Sequence, residues 1–157
     1  MITTAHLASG AIIGTVIPDP ILICIISFLF HYLLDFVPHK AASPLDMVKA
    51  HGVRGLRHHP KKEIFFKTIE PLFANLIAWL YFALSPTDLR LNIFLGAFFG
   101  WLPDLLVYLE WRYGIPRPWP FGYLERRYHQ HRKDVWGQLP QIAFIVACLT
   151  IMVNYIT

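Results

Sequence analysis

Charge is scarce in this chain. Charged side chains make up 15% of its 157 residues against 55% hydrophobic ones, more apolar than an ordinary soluble domain. Cysteine is nearly missing: Cys24 and Cys148 both sit inside apolar stretches, which favours small buried hydrophobes over a disulfide or a thiolate metal site. There is no Gly-rich phosphate loop of P-loop type, no His-Glu-x-x-His motif and no Cys-x-x-Cys pair. No basic region precedes Ile2 and no small-residue cleavage site precedes Pro18-Asp19-Pro20, so a removable signal peptide is not expected. What remains as reactive inventory is His plus carboxylate, a mixture that suits zinc and, with enough oxygen ligands, manganese or iron.

The apolar residues are gathered into stretches at 2–17, 21–37, 64–84, 91–109 and 139–156, several of which approach the roughly 20 residues a spanning helix needs. The expectation is an all-α, polytopic transmembrane helical bundle of about five membrane segments, a single integral membrane domain over 1–157. The first stretch is short and rich in small residues (Ala5, Ala8, Ser9, Gly10, Ala11, Gly14), which suits close helix packing or a re-entrant hairpin as well as a full span. Of 14 Lys and Arg, six lie between Lys40 and Lys62 and six between Arg112 and Lys133, so both long loops are expected on the cytoplasmic side of a multi-pass protein.

His31-Tyr-Leu-Leu-Asp35-Phe-Val-Pro-His39 places two imidazoles and a carboxylate at four-residue intervals. On a helix such positions stack on nearly one face and can converge on one ion, with Pro38 weakening the claim of His39. Ionisable groups in a segment of membrane-spanning length are costly and default to a functional reading. The predicted topology brings further ligand-type groups to the same level. His6 starts the first segment; Glu70 lies about 9 Å past Ile64, Asp104 about 9 Å before Glu110, and Asp35 about 7 Å before Lys40, at 1.5 Å of rise per residue. His6, His31, Asp35, His39 and Asp104 are thus the candidate metal ligands, with Asp104 or Glu70 as general base. Taken singly, His6 or Glu70 fits snorkelling to headgroups or helix capping equally well, Glu70 fits pairing with Lys67, and Asp35 fits an acceptor that orients one imidazole.

The basic loops have a plainer explanation. His51, His58 and His59 belong to a solvated positive loop. The run Tyr128-His129-Gln130-His131-Arg132-Lys133 fits anionic lipid headgroups slightly better than a metal, and His129, His131, Arg126 and Arg132 are the candidate headgroup-binding residues. The interleaved aromatics there are explained by rings at headgroup level without a nucleic-acid partner. A faint internal echo also links Gly10-Ala-Ile-Ile-Gly14, followed by Pro18-Asp19, with Gly96-Ala-Phe-Phe-Gly100, followed by Pro103-Asp104. In a five-span topology the two Pro-Asp units fall on opposite sides, so Asp19 is expected to be a turn residue rather than a ligand.

Thr4-Ala5-His6, the His31-x-x-x-Asp35 pair followed by Pro38-His39, and Gly100-x-x-Pro103-Asp104 together resemble small bacterial and archaeal proteins classed as membrane-bound metal-dependent hydrolases. The resemblance covers about the first two thirds of the chain. Two motifs frequent in that family differ: Pro-Asp-x-Asp-His is reduced here to Pro18-Asp19-Pro20-Ile21, and His-Arg-Gly-x-Thr-His-Ser has only the Arg54 to His59 stretch as its nearest counterpart. More distantly, His-x-x-x-Asp with a nearby His is similar to part of the zinc site of soluble phospholipases C and P1-type nucleases, with His31, Asp35 and His39 on ligand positions. The resemblance implies a divalent metal, zinc first, a membrane-lipid or lipid-linked phosphoester substrate, and residence in a bacterial or archaeal cytoplasmic membrane. The alternative from another class is a non-catalytic metal or ion transporter, or a scaffold held by its polar layer.

Overall fold

The computed structural model describes residues 3–37, 61–123 and 139–156; within these, the side chains of 61–68, 70, 71, 111 and 112 are not described. Five helices account for most of this length: α1 (Thr3–Val16), α2 (Pro20–Phe36), α3 (Lys61–Leu84), α4 (Arg90–Tyr113) and α5 (Leu139–Ile156). No strand occurs among the described residues. Two helices are long and apolar enough to cross a membrane, over Arg90–Glu110 and Leu139–Ile156, while Pro20–Phe36 and Leu72–Leu84 are shorter apolar helices.

The shortest of these five helices is the central one. α1 packs against α2, α3, α4 and α5, and Thr3 through Ala11 are all buried. Its closest neighbour is α4, and glycine makes that approach feasible. A Cβ on Gly10 would collide with the backbone of Gly96, one on Gly14 with that of Asn92, and one on Gly100 would lie 2.7 Å from the carbonyl of His6. These pairings run in opposite directions along the two helices, so α1 and α4 are antiparallel with their glycine faces in contact. The two halves of the internal echo therefore pack against each other, and their Pro-Asp units lie at opposite ends.

The end of this frame where Gly14 meets Asn92 is tied by local chemistry. Asp19 caps α2, its Oδ1 accepting from the N–H groups of Ile21 and Leu22 at 2.8 and 2.9 Å, with Pro20 at the first helical position where a missing N–H costs nothing. Asp19 is thus a turn and cap residue. Arg90 donates to the carbonyls of Ala83 and Ser85 at the end of α3 and lies over the Phe82 ring. The hydroxyls of Thr15 and Tyr81 bond at 2.8 Å and join α1 to α3. An apolar core of Leu7, Ala8, Ala11, Ala74, Tyr81, Ile93, Ala97, Cys148 and Met152 links α1, α3, α4 and α5, with Cys148 serving as a small buried hydrophobe.

α2 is inside out relative to a soluble amphipathic helix. Its buried residues include Ser27, His31 and Asp35, whereas Ile21, Leu22, Ile25, Leu29, Leu33 and Phe36 are exposed. α3, α4 and α5 likewise expose large apolar side chains, among them Leu72, Trp79, Phe94, Ile142 and Val146.

Candidate metal centre

His31 and Asp35 lie one turn apart on the inward stripe of α2, His6 faces them from α1, and Asp104 comes from α4. All four side chains are buried, none more than 2% exposed. Asp35 bridges the two imidazoles: Oδ1 is 3.2 Å from His6 Nε2 and Oδ2 is 3.5 Å from His31 Nε2. The rings stack with centroids 3.8 Å apart and planes 23° from parallel. One ligand atom each of His6, His31 and Asp104 lies within 4.8 Å of the others.

The backbone of α4 fixes one ring. His31 Nδ1 lies 2.8 Å from the carbonyl oxygen of Gly100. A carbonyl only accepts, so Nδ1 carries the proton and donates, which leaves the Nε2 lone pair of the neutral ring toward the cluster. Gly100 is the residue over which the His6 carbonyl packs, so the glycine contact between α1 and α4 also sets the separation of the two imidazoles. Pro103, inside α4, lacks the N–H that would bond the carbonyl four residues earlier, which removes a rung from the turn presenting Gly100 and Asp104. On α1, Ser9 donates back to the His6 carbonyl at 3.1 Å.

The donor set fits a divalent cation. Nδ1 and Nε2 of His6 and Nε2 of His31 are buried without a hydrogen-bond partner. Buried polar atoms left unpaired are costly, and a cation would satisfy the one lone pair that each neutral imidazole offers. Ligand atoms at about 2 Å from a tetrahedral ion are about 3.3 Å apart, so the set would close slightly on binding. Two imidazoles and one carboxylate, those of His6, His31 and Asp104, thus form a buried group of the kind that could hold a metal ion.

Comparison with family models, with curated proteins and with solved structures gave no match. Four of the five sequence-predicted ligands, His6, His31, Asp35 and Asp104, come together. His39 lies outside the described residues, as do His129, His131, Arg126 and Arg132. Glu70 lies on α3, but its side chain is outside the described residues.

Sequence reasoning missed several polar groups near this layer. Thr3 and Thr4 are buried in the first turn of α1, and Gln141 is buried in the first turn of α5, one turn before Phe144 and Ile145, which pack against Ala5 and Leu34. A glutamine at the head of an otherwise apolar segment was the available signal. Arg117, beyond α4, is also largely buried and donates through Nε to Glu110. Its neighbour Phe121 meets Phe28 of α2 edge to face, so the segment after α4 folds back along α2.

Proposed function

We propose that this chain is a multi-pass membrane protein whose His6, His31 and Asp104, with Asp35 orienting the two imidazoles, hold a divalent metal ion, zinc first, and that the centre hydrolyses a lipid or lipid-linked phosphoester near the cytoplasmic interface. The buried cluster with its unpaired imidazole nitrogens carries this assignment. Membrane residence by about five segments is supported by α2, which turns its polar stripe inward and its apolar face outward, as expected where the surroundings are hydrocarbon. The positive charge of the stretches 40–62 and 112–133 supports their cytoplasmic placement.

The chemistry such an ion supplies is Lewis acidity toward a phosphoryl oxygen and hydroxide at neutral pH. His31, held by Gly100 in the tautomer with a free Nε2, and His6 would be its nitrogen ligands. Asp104 supplies a carboxylate from a third helix, as ligand or as acceptor of the proton from water, and Asp35 aligns both rings. Glu70 is the second candidate for the base, and the basic stretches containing Arg126, His129, His131 and Arg132 would hold the anionic headgroup. A transporter needs ligand groups continuing across the membrane. Beyond Ser27 the inward face of α2 meets the fully buried Ile23, which favours a one-sided centre.

Elemental analysis of the purified full chain, followed by product release from mixed bacterial lipids with zinc or manganese, tests the assignment. The expected result is about one or two ions per chain and a phosphorylated or alcohol product that disappears in Asp104→Asn. Metal flux through liposomes without lipid turnover would replace the hydrolase by a transporter, and absence of bound metal by a scaffold.

A further inference from the structure

Arg117 is a buried cation outside the metal cluster. Its side chain is 6% exposed, and Nε donates to the carboxylate of Glu110. Nη1 is buried and has no hydrogen-bond partner. A guanidinium carries its N–H donors in a flat fork and stays charged in any surroundings, so it cannot relieve its burial by giving up a proton. An open donor on a buried cation is costlier than one on a neutral group. Glu110 thus engages one side of the fork and leaves Nη1 in want of an acceptor.

The surrounding chain holds this arrangement in place. Glu110 is the last residue of the stretch of α4 that is long and apolar enough to cross a membrane, and Gly114, in the left-handed region at φ 69°, ends the helix. Pro116, Pro118 and Pro120 then alternate with Arg117 and Trp119, and each fixes its own φ, so the segment has little freedom of its own. The N–H groups of Phe121 and Tyr123 bond the carbonyls of Pro118 and Pro120, and the Phe121 ring meets Phe28 of α2. The segment is therefore fastened to α4 at Arg117 and to α2 at Phe121. The Arg117 side chain is turned inward, whereas Trp119 is 86% exposed and Tyr113, Ile115 and Tyr123 are also exposed. A guanidinium fixed in this way loses little further freedom when a ligand arrives.

We propose that Arg117 is the receptor for a phosphate group, bound through Nη1 beside Glu110 where α4 leaves the membrane. The site is separate from the metal centre and needs no ion there; the membrane reading made above enters only in naming a lipid headgroup as one source of the phosphate. Three features favour phosphate. Charge-assisted bonds from a guanidinium to phosphate oxygens are among the strongest available to an open N–H donor. The stretch 112–133 carries six Lys and Arg against the single acid Glu125, so the local field attracts an anion even with the charge of Glu110 counted. The exposed rings of Tyr113, Trp119 and Tyr123 suit headgroup level, where lipid phosphates lie.

The test titrates the purified full chain in a non-ionic detergent, with and without a metal chelator, so that in one arm an ion at the cluster contributes nothing. The probes are inorganic phosphate, followed by calorimetry, and phosphatidylglycerol, followed by native mass spectrometry against a diacylglycerol with the same chains. The chelated protein should prefer phosphatidylglycerol to the diacylglycerol, and Arg117→Gln should weaken that binding by about tenfold or more while the metal content of unchelated protein stays unchanged. Arg117→Lys, which keeps the charge and loses the fork, should fall between the two. Glu110→Gln leaves Nε an acceptor and removes the competing charge, so it should bind phosphate as tightly as the unaltered chain or more tightly. A purely structural pair predicts otherwise: Arg117→Gln and Glu110→Gln would both lose stability and neither would alter the preference between the lipids. Glu110→Gln and Arg117→Lys carry the test if Arg117→Gln fails to fold. Arg117-dependent binding of inorganic phosphate without a preference between the lipids supports the receptor and assigns it to a soluble phosphate ester. Binding equal in the unaltered chain and Arg117→Gln, or lowered in Glu110→Gln, overturns the proposal and leaves Nη1 to a buried water. Binding abolished by the chelator belongs to the metal centre and also overturns it, whereas Arg117-dependent binding by a chain that holds no metal supports the receptor and fails the metal assignment alone.

Discussion

At His31 a single hydrogen bond decides chemistry. The Gly100 carbonyl accepts a hydrogen bond from Nδ1–H, so the ring presents Nε2 to the cluster, and that preference comes from a backbone atom no side-chain substitution deletes. Loss of a ligand differs from loss of an orienting partner, which gives two separable expectations. His31→Ala should reduce bound metal to trace levels by elemental analysis. Asp35→Asn keeps the shape but weakens the hold on both imidazoles, and it should lower metal affinity by about 10- to 100-fold without unfolding, as followed by competition with a chelating dye. Asp19 provides the contrasting case. Its carboxylate caps α2 at the opposite end of the α1–α4 frame. Asp19→Ala should cost about 1 kcal/mol of stability and leave metal content unchanged; loss of metal in that variant would contradict the antiparallel pairing.

Among the elements, α1 and α4 hold the site together through contact between glycine faces. Gly10 and Gly14 meet Gly96 and Asn92, and Gly100 meets His6, so any side chain added on this seam pushes the two ligand-bearing helices apart. Gly10→Ala and Gly96→Ala should each destabilise the bundle by about 1–3 kcal/mol or more. Their combined effect should be smaller than the sum, because the two residues share one contact. Metal affinity should fall along with stability, since His6 moves away from Asp104; thermal unfolding with and without added zinc measures both. A variant that lost stability and kept full metal affinity would separate the seam from the site. The ring contact of Phe121 with Phe28 does not take part in this seam and carries no such expectation.

For the whole molecule, the distribution of apolar surface is the governing fact. Large side chains on the outer faces of α2, α3, α4 and α5 stay exposed after folding, while His6, His31, Asp35, Asp104 and Gln141 are inside. The chain should therefore remain in the membrane fraction after alkaline carbonate extraction, and reporters fused within 40–62 and 124–138 should both report cytoplasm. Release by carbonate would mean that a protein partner, rather than lipid, covers those faces.

The sequence by itself determined the helices, since apolar runs of helical length separated by Pro18-Asp19-Pro20 and by the two basic stretches leave few alternatives. It also determined the spacing of His31 and Asp35, because a four-residue interval fixes a shared face wherever the helix goes. Asp19 was legible as a turn residue from the Pro18-Asp19-Pro20 triplet. The levels of His6 and Asp104 followed from counting residues inward from the predicted interface. Hydropathy says how deep a residue sits and nothing about which neighbour it meets. Only the tertiary structure decided that α1 is the central helix, that the two glycine motifs face each other, that Gly100 orients His31, and that α3 and α4 stand apart over an open groove. Those outcomes depend on which surfaces approach most closely, and that is set by the absence of a Cβ at Gly10, Gly96 and Gly100 together with the bulk of Phe82, Phe94 and Phe98, quantities that act between helices rather than along them.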